Sequence, residues 1–272
     1  MNARMIRIGC CLSMFAVNEP RIGDEAIPLV SKLGFDYIET PLAQVMDLSE
    51  EKFHELLRTI RTEGIPMEAC NNFFPARIRL TGEEARLDQA LEYVKAAAHR
   101  AAAMGADIIV LGSSGAKNIP QGFPYERAQV QLKELLVHVQ DIVKPLSITV
   151  ALEPLNTKES NFITTADEAL DLVRELSLDN VKLLIDYYHL RMEGENPDVV
   201  QRAAKDLRHV HIASKEGRLF PKSGDAENYA DFFARLKAIA YNGRVSVEAR
   251  SKDLAADGAA SLELLRSLAD SP

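Results

Sequence analysis

Five short apolar runs of this 272-residue chain end in an acidic residue or a histidine. These polar residues are Glu39, Glu153, Asp186, His211 and Glu248. If the runs are parallel strands, their carboxyl ends meet at one edge of a sheet, where α/β barrel enzymes place their chemistry. Carboxylates next to apolar runs are costly to bury alone, and a shared cation offsets that cost. The pattern therefore predicts a cation site built from strand ends.

Four of these residues, Glu153, Asp186, His211 and Glu248, come from four consecutive apolar runs. Carboxylate oxygens with one imidazole suit one divalent metal ion, with Mn²⁺, Mg²⁺ or Co²⁺ preferred and Zn²⁺ also acceptable. Taken singly, each residue could instead be a solvated loop residue or a helix N-cap. Because all four follow one another along the chain, we favour the metal site.

The elements that must position these residues alternate between strand and helix. The predicted strands are short, rich in Ile and Val, and lack strict polar alternation, as strands buried on both faces do. They are Ile6–Cys11, Tyr37–Thr40, Pro66–Cys70, Ile108–Leu111, Ser147–Leu152, Lys182–Ile185, His209–Ile212 and Arg244–Val247. Helical periodicity or a capping pattern predicts helices at Glu51–Thr62, Glu83–Met104, Arg127–Val143, Thr165–Leu176, Asp198–Lys205, Asn228–Ala240 and Ala259–Leu268. Eight strands that alternate with helices predict an α/β fold, a (β/α)₈ TIM barrel forming a single domain over residues 1–272.

The charge and cysteine content of the chain argue against some classes of binding partner and of cellular location. The chain has 32 basic and 40 acidic residues and a net charge of −8, which argues against a nucleic-acid partner. No apolar run reaches the roughly 18 residues of a membrane span. The three cysteines, Cys10, Cys11 and Cys70, are odd in number and two are adjacent, so no disulfide framework is expected. A cytoplasmic location follows as the simplest prediction.

Four motifs at the predicted strand ends resemble those of the xylose isomerase-like barrel superfamily, the sugar phosphate isomerases and epimerases. The pattern is most similar to that of the ketose 3-epimerases. The motifs are Glu153-Pro154-Leu155-Asn156, Asp186-Tyr187-Tyr188-His189, His209-Val210-His211 and Ser246-Val247-Glu248. The resemblance covers nearly the whole chain and is concentrated in residues 147–250.

The resemblance implies roles for individual residues. It implies that the metal ligands are Glu153, Asp186, His211 and Glu248. It also implies that the substrate is contacted by Glu159, His189 and Arg218. Two departures concern the substrate: Ala213-Ser214 stand where many epimerases have Gly-Glu, and Arg250 stands near a position where an aromatic is common. Arg250 would suit an acidic or phosphorylated substrate, or it would pair with a nearby carboxylate, and both options stay open.

The implied activity is that of a metal-dependent isomerase or epimerase of carbohydrate metabolism, acting on a small ketose or related keto-polyol. Chelation of the carbonyl and a neighbouring hydroxyl would stabilise a cis-enediolate. Glu153 and Glu248 would then act as the acid/base pair that removes and returns the proton. Two opposed carboxylates would give epimerisation, whereas one carboxylate with a bridging oxygen would give aldose–ketose isomerisation.

Two other functions stay open at this point, and a third is disfavoured by the residues present and by the acidic charge. A dehydratase of the inosose or dehydroshikimate type would use the same metal and base to expel water. A non-catalytic sugar-binding barrel would bind without turnover. An endonuclease IV-like enzyme would need extra histidines after strands three and four, where this chain has Asn71-Asn72-Phe73 and Gly112-Ser113-Ser114. A homodimer and a homotetramer are both compatible with the sequence.

Overall fold

A computed structural model describes residues 6–271 of the chain. Eight parallel strands pair in chain order, and the first also pairs with the last, so the sheet closes into a barrel. The strands are β1 (Arg7–Cys11), β2 (Tyr37–Pro41), β3 (Met67–Asn71), β4 (Ile108–Leu111), β5 (Thr149–Leu152), β6 (Val181–Asp186), β7 (Leu207–Ile212) and β8 (Arg244–Val247). The predicted TIM barrel is confirmed, although its predicted limits include residues 1–5 and 272, which lie outside the described residues.

Helices connect the strands around the barrel. They are α1 (Ile27–Leu33), α2 (Leu42–Val45), α3 (Glu50–Glu63), α4 (Leu87–Met104), α5 (Ser114–Lys117), α6 (Tyr125–Val143), α7 (Ala166–Leu176), α8 (Tyr187–Glu193), α9 (Val199–Ala203), α10 (Tyr229–Ala238) and α11 (Leu254–Asp270). None of the helices within residues 6–271 combines the length and the apolar character needed to cross a bilayer.

Local signals explain most helix limits. The side chain of Thr165 accepts a hydrogen bond from the backbone N–H of Glu168 at 3.2 Å, so the predicted cap of α7 is confirmed. The predicted start of α4 at Glu83 is wrong. Gly82 has a φ of 101° and Arg86 is extended, so the chain makes a turn before the helix begins at Leu87. The segment 112–124, which follows β4, contains the short helix α5.

The core lies in two layers. A large layer packs the outward-facing strand residues against the helices. A separate small cluster consists of alternate residues from β3 to β6, as expected for side chains that fill a barrel interior. Its members are Ala69, Ile108, Val110, Ala151 and Leu184. On the side of β2, β7 and β8 the interior is instead polar, with Glu39, His209 and Ser246 fully buried.

Four paired charges close the amino end of the barrel, and we call them the lower ring: Arg7, Glu68, Asp107 and Arg244. Glu68 pairs with both arginines, and Arg244 Nη1 lies 2.7 Å from Asp107 Oδ1. The two guanidinium groups also lie 5.7 and 5.9 Å from the ring centre of Tyr37. These charged side chains are paired with one another. We therefore expect the catalytic and binding residues at the opposite end, where the carboxyl ends of the strands lie.

Candidate metal centre

Four side chains converge at the carboxyl ends of β5 to β8, and we call them the strand-end cluster: Glu153, Asp186, His211 and Glu248. One ligand atom from each lies within 4.8 Å of the others. His211 Nδ1 lies 3.2 Å from Glu153 Oε1 and 3.5 Å from Glu248 Oε2. All four residues are buried. The structure thus brings together the side chains that the sequence predicted as metal ligands.

Strand register explains this convergence. Asp186 on β6 is aligned with His211 on β7, and His211 is aligned with Ser246, two residues before Glu248. Glu153 follows β5 directly, and its backbone N–H donates to Leu111 O at 3.1 Å. The backbone of the cluster is therefore held by strand pairing, which positions side chains more rigidly than a loop does.

A guanidinium group lies among these carboxylates. Arg218 is ion-paired with Glu248, and its Nη2 lies 3.4 Å from Asp186 Oδ2. Its Nη1 lies 3.5 Å from Glu159 Oε2, and its charge stacks 4.7 Å from the ring centre of Tyr188. Because its side chain is only 13% exposed, this charge compensates buried negative charge with little help from water.

The three carboxyl groups of the cluster are buried close together, and their pKa values are shifted. Burial raises the pKa of Asp186 to about 7 and also raises the pKa of Glu153, although Arg218 and His211 oppose both shifts. Burial would raise the pKa of Glu248 too, but Arg218 and His211 hold it below its usual range. Three carboxylates with one imidazole are a donor set for a hard or borderline divalent cation. The residues that would hold this cation are those of the strand-end cluster.

His189 presents an unpaired N–H beside the cluster. Its Nδ1 accepts hydrogen bonds from Asn156 N at 3.1 Å and from Asn156 Nδ2 at 2.7 Å. The ring hydrogen is therefore assigned to Nε2. This buried Nε2 lies 3.5 Å from Asp186 Oδ2 and has no hydrogen-bond partner among residues 6–271. Burial lowers the pKa of His189 to about 3, so the ring is a neutral donor.

A cavity of about 280 Å³ opens over the cluster. Its lining combines two of the predicted ligands with three of the predicted substrate contacts. These five residues are Glu153, Glu159, His189, Arg218 and Glu248. One small cavity therefore joins the candidate metal ligands to the groups expected to bind a polar substrate.

Arg250 is placed differently from the other predicted substrate contacts. Its side chain is exposed, and in the described part of the chain it does not line this cavity. Its backbone N–H donates to Arg218 O at 2.8 Å, so it supports the segment that carries Arg218. A substrate contact by the Arg250 side chain stays a prediction.

Sequence reasoning assigned no role to several residues that contact the cluster. Asn71 Nδ2 donates to Glu248 Oε1 at 2.6 Å, and the fully buried Lys117 donates from Nζ to Glu153 O at 2.9 Å. Gly112 leaves space for the Glu153 carboxylate. Asn71 ends β3, so a search of strand ends that included amides would have found it. No local pattern marks Lys117 or Gly112.

The chain is similar in sequence to proteins named as sugar epimerases. A D-psicose 3-epimerase of Enterocloster bolteae is 26% identical over 230 residues, which covers 80% of this chain and 74% of that protein. A 3-dehydro-D-guloside 4-epimerase of Escherichia coli is 26% identical over 234 residues, covering 83% of this chain and 86% of that protein.

A solved structure of D-psicose 3-epimerase from Clostridium cellulolyticum with D-tagatose shares the fold. It superposes with a TM-score of 0.85 at 19% identity and covers 97% of this chain and 100% of that one. The profile of one family, described as xylose isomerase-like TIM barrel, matches residues 27–268. The chain therefore belongs to the xylose isomerase-like TIM barrel family.

Proposed function

We propose that the chain is a metal-dependent epimerase or isomerase of a small ketose or keto-polyol. The observation that carries the proposal is the convergence of Glu153 and Glu248 on His211 Nδ1, at 3.2 and 3.5 Å, beneath a polar cavity. Relatives named as a D-psicose 3-epimerase and a 3-dehydro-D-guloside 4-epimerase support a sugar substrate with a carbonyl group.

Two carboxylates move the proton in this proposal. Glu153 and Glu248 both line the cavity, so one can remove the proton beside the substrate carbonyl while the other returns a proton to the same carbon. Asn71 fixes the orientation of Glu248 through its 2.6 Å hydrogen bond. A divalent cation, with Mn²⁺ as the expected ion, would supply Lewis acidity at the substrate oxygens.

Substrate oxygens are held by donors that the structure leaves available. The Nε2–H of His189 is buried beside Asp186 and has no hydrogen-bond partner in the described residues, so it suits a substrate carbonyl or hydroxyl oxygen. Arg218 offers further N–H donors at the same cavity, and Glu159 offers an acceptor for a hydroxyl. These contacts would fix the substrate in a reactive orientation.

Deuterium exchange tests the proposal. The Mn²⁺-loaded chain is incubated in D₂O with D-psicose, D-fructose and a panel of other ketoses and keto-inositols, and deuterium at carbon is followed by NMR. We expect exchange with wild type, loss of exchange after EDTA treatment, and recovery with Mn²⁺. Glu248→Gln should keep the fold and reduce exchange by about 10²- to 10⁴-fold, the usual contribution of a positioned acid or base.

A matched control removes the same charge elsewhere. Glu263 is exposed on α11, so Glu263→Gln should exchange like wild type. Undiminished exchange in Glu248→Gln would refute the assigned role.

Loss of water from the substrate would instead favour a dehydratase, and ligand binding without exchange or dehydration would favour a non-catalytic barrel. The cytoplasmic location and the homodimeric or homotetrameric assembly stay predictions.

A further inference from the structure

A buried polar network lies directly behind the strand-end cluster, on the barrel-interior side of His211. Its centre is Glu39 on β2, which has no exposed surface. Glu39 Oε1 lies 3.0 Å from His211 Nε2, and Glu39 Oε2 lies 2.9 Å from His209 Nε2. Ser246 Oγ donates to the same Oε2 at 2.6 Å and lies 2.8 Å from the Tyr37 hydroxyl. One carboxylate thus faces three potential donors.

The contact with Glu39 determines that Nε2 of the His211 ring carries a hydrogen. An ionised carboxylate can only accept hydrogen bonds, so the ring nitrogen that faces Glu39 must carry the hydrogen. The hydrogen is then on Nε2 of His211. The other nitrogen, Nδ1, faces the carboxylates of Glu153 and Glu248. Because Glu39 holds the hydrogen on Nε2, Nδ1 is the nitrogen whose lone pair would bind a cation in the strand-end cluster. His209 fits the same pattern, because its Nδ1 has no partner within the described chain and an unprotonated nitrogen tolerates that better than an N–H.

We propose that Glu39 is a positioning residue of the metal centre. Its carboxylate accepts the Nε2 hydrogen of His211 and so keeps the Nδ1 lone pair directed at the strand-end cluster. Carboxylate partners of this kind raise the basicity of a ligating histidine and fix its orientation. The inference rests on the proposed metal site but not on the identity of the substrate.

A second cation at Glu39 is the competing interpretation. Cys11, Glu39 and His211 also have ligand atoms within 4.8 Å of one another. However, both oxygens of Glu39 already accept hydrogen bonds, and burial raises the pKa of the Cys11 thiol well above its usual range. A neutral thiol is a poor ligand. The geometry therefore favours hydrogen bonding by Glu39 over ligation.

Metal titration of Glu39→Gln tests the inference. The amide keeps the shape of the side chain, but its NH₂ group cannot accept a hydrogen bond from His211 or His209. If His211 moves its hydrogen to Nδ1 in response, the lone pair leaves the cluster. We expect the Kd for Mn²⁺, measured by calorimetry, to rise about 10- to 100-fold, as for other carboxylate partners of metal ligands.

Tyr37→Phe is the matched control, because it removes a hydroxyl from the far end of the network and keeps the Glu39–His211 contact. Its Kd for Mn²⁺ should stay within about threefold of wild type, as expected for a site that is not directly coupled. Thermal unfolding of the metal-free variants separates the two roles, since a purely structural Glu39 would lower the Tm without weakening Mn²⁺ binding. An unchanged Kd in folded Glu39→Gln would overturn the inference, as would a second equivalent of Mn²⁺ bound by wild type.

Histidine-ring ¹⁵N NMR keeps the inference testable if Glu39→Gln does not fold. In the Zn²⁺-loaded wild type, the hydrogen of His211 should be on Nε2, and a hydrogen on Nδ1 would overturn the inference. If wild type binds neither Mn²⁺ nor Zn²⁺, the proposed function fails separately. The metal-free spectrum then decides, because a hydrogen-bonded Nε2 proton on His211 supports the role of Glu39 and its absence contradicts it.

Discussion

Replacing Gly112 by alanine should separate activity from stability in this protein. A Cβ atom at Gly112 would overlap Oε2 of Glu153 and lie 3.1 Å from its Cδ and 3.4 Å from Leu155 Cδ2. Gly112 has none of the positive φ angles that strain an alanine backbone. The methyl group therefore acts on the end of one flexible side chain, and that side chain is a proposed ligand and acid/base group.

The size of the effect follows from the displacement. Restoring ordinary van der Waals separation requires the Glu153 carboxylate to move by more than roughly 1 Å. A shift of that size at a reacting group costs on the order of 100-fold in rate, or about 2.7 kcal/mol in the barrier. By contrast, an alanine in a compatible backbone conformation usually changes stability by less than about 1 kcal/mol. Gly112→Ala should therefore fold normally and lose most activity.

Three measurements check this prediction. We would compare kcat/KM on the ketose that wild type turns over, the Kd for Mn²⁺, and the Tm of the metal-free protein. Gly64→Ala is the matched control with the opposite expectation. Gly64 ends α3 with a φ of 65°, and an added Cβ would meet no atom of residues 6–271 within 4 Å. It should lose about 1 kcal/mol of stability and keep its activity. The reasoning is refuted if Gly112→Ala keeps kcat/KM within about threefold of wild type, well short of the loss expected from a 1 Å shift.

Two further predictions concern charge. Arg218→Met removes the cation that compensates Asp186 and Glu248, so the metal-free protein should lose about 3–5 kcal/mol of stability. Mn²⁺ should restore most of the lost stability, and thermal unfolding with and without Mn²⁺ measures this recovery. If the variant loses as much stability relative to wild type with Mn²⁺ as without it, the prediction is wrong. Burial raises the pKa of the half-buried Glu195 from 4.5 to about 7, so the folded state holds an extra proton in that range. The free energy of unfolding should thus fall as pH rises from 4.5 to about 7, and Glu195→Gln should flatten this dependence in denaturant titrations.

The strands could be predicted from sequence because strands buried on both faces are short runs rich in Ile and Val, without polar alternation. Ile108–Leu111 and Arg244–Val247 match the observed β4 and β8. Short helices could not be predicted in this way. Helix α8 (Tyr187–Glu193) has only seven residues, too few to show a clear period, and begins directly after Asp186. Its N-terminus is held by a hydrogen bond from Tyr188 N to Asp186 Oδ1 at 2.8 Å, a contact that depends on the folded strand end.

The four residues of the strand-end cluster could be predicted because consecutive strands of a parallel barrel lie side by side. Residues that end consecutive strands therefore lie close together. Contacts that depend on packing could not be predicted in this way. Lys117 reaches Glu153 O from the short helix α5, and no spacing rule relates these two residues. Glu39 was recognised at a strand end, but its relation to His211 depends on two strands that are separated by about half of the barrel. Proximity across a closed sheet is a property of the barrel and not of the local sequence.

The lower ring has a consequence for how the chain reaches its native state. Arg7 belongs to the first strand and Arg244 to the last, and both pair with Glu68. The contact between Glu68 and Arg244 can form only after residue 244 has left the ribosome. Loop-closure entropy over such a separation opposes early docking, and exposed strand edges favour aggregation in the meantime. Neutralising Glu68 should therefore slow the final closure step of refolding more than it affects the assembly of the central strands.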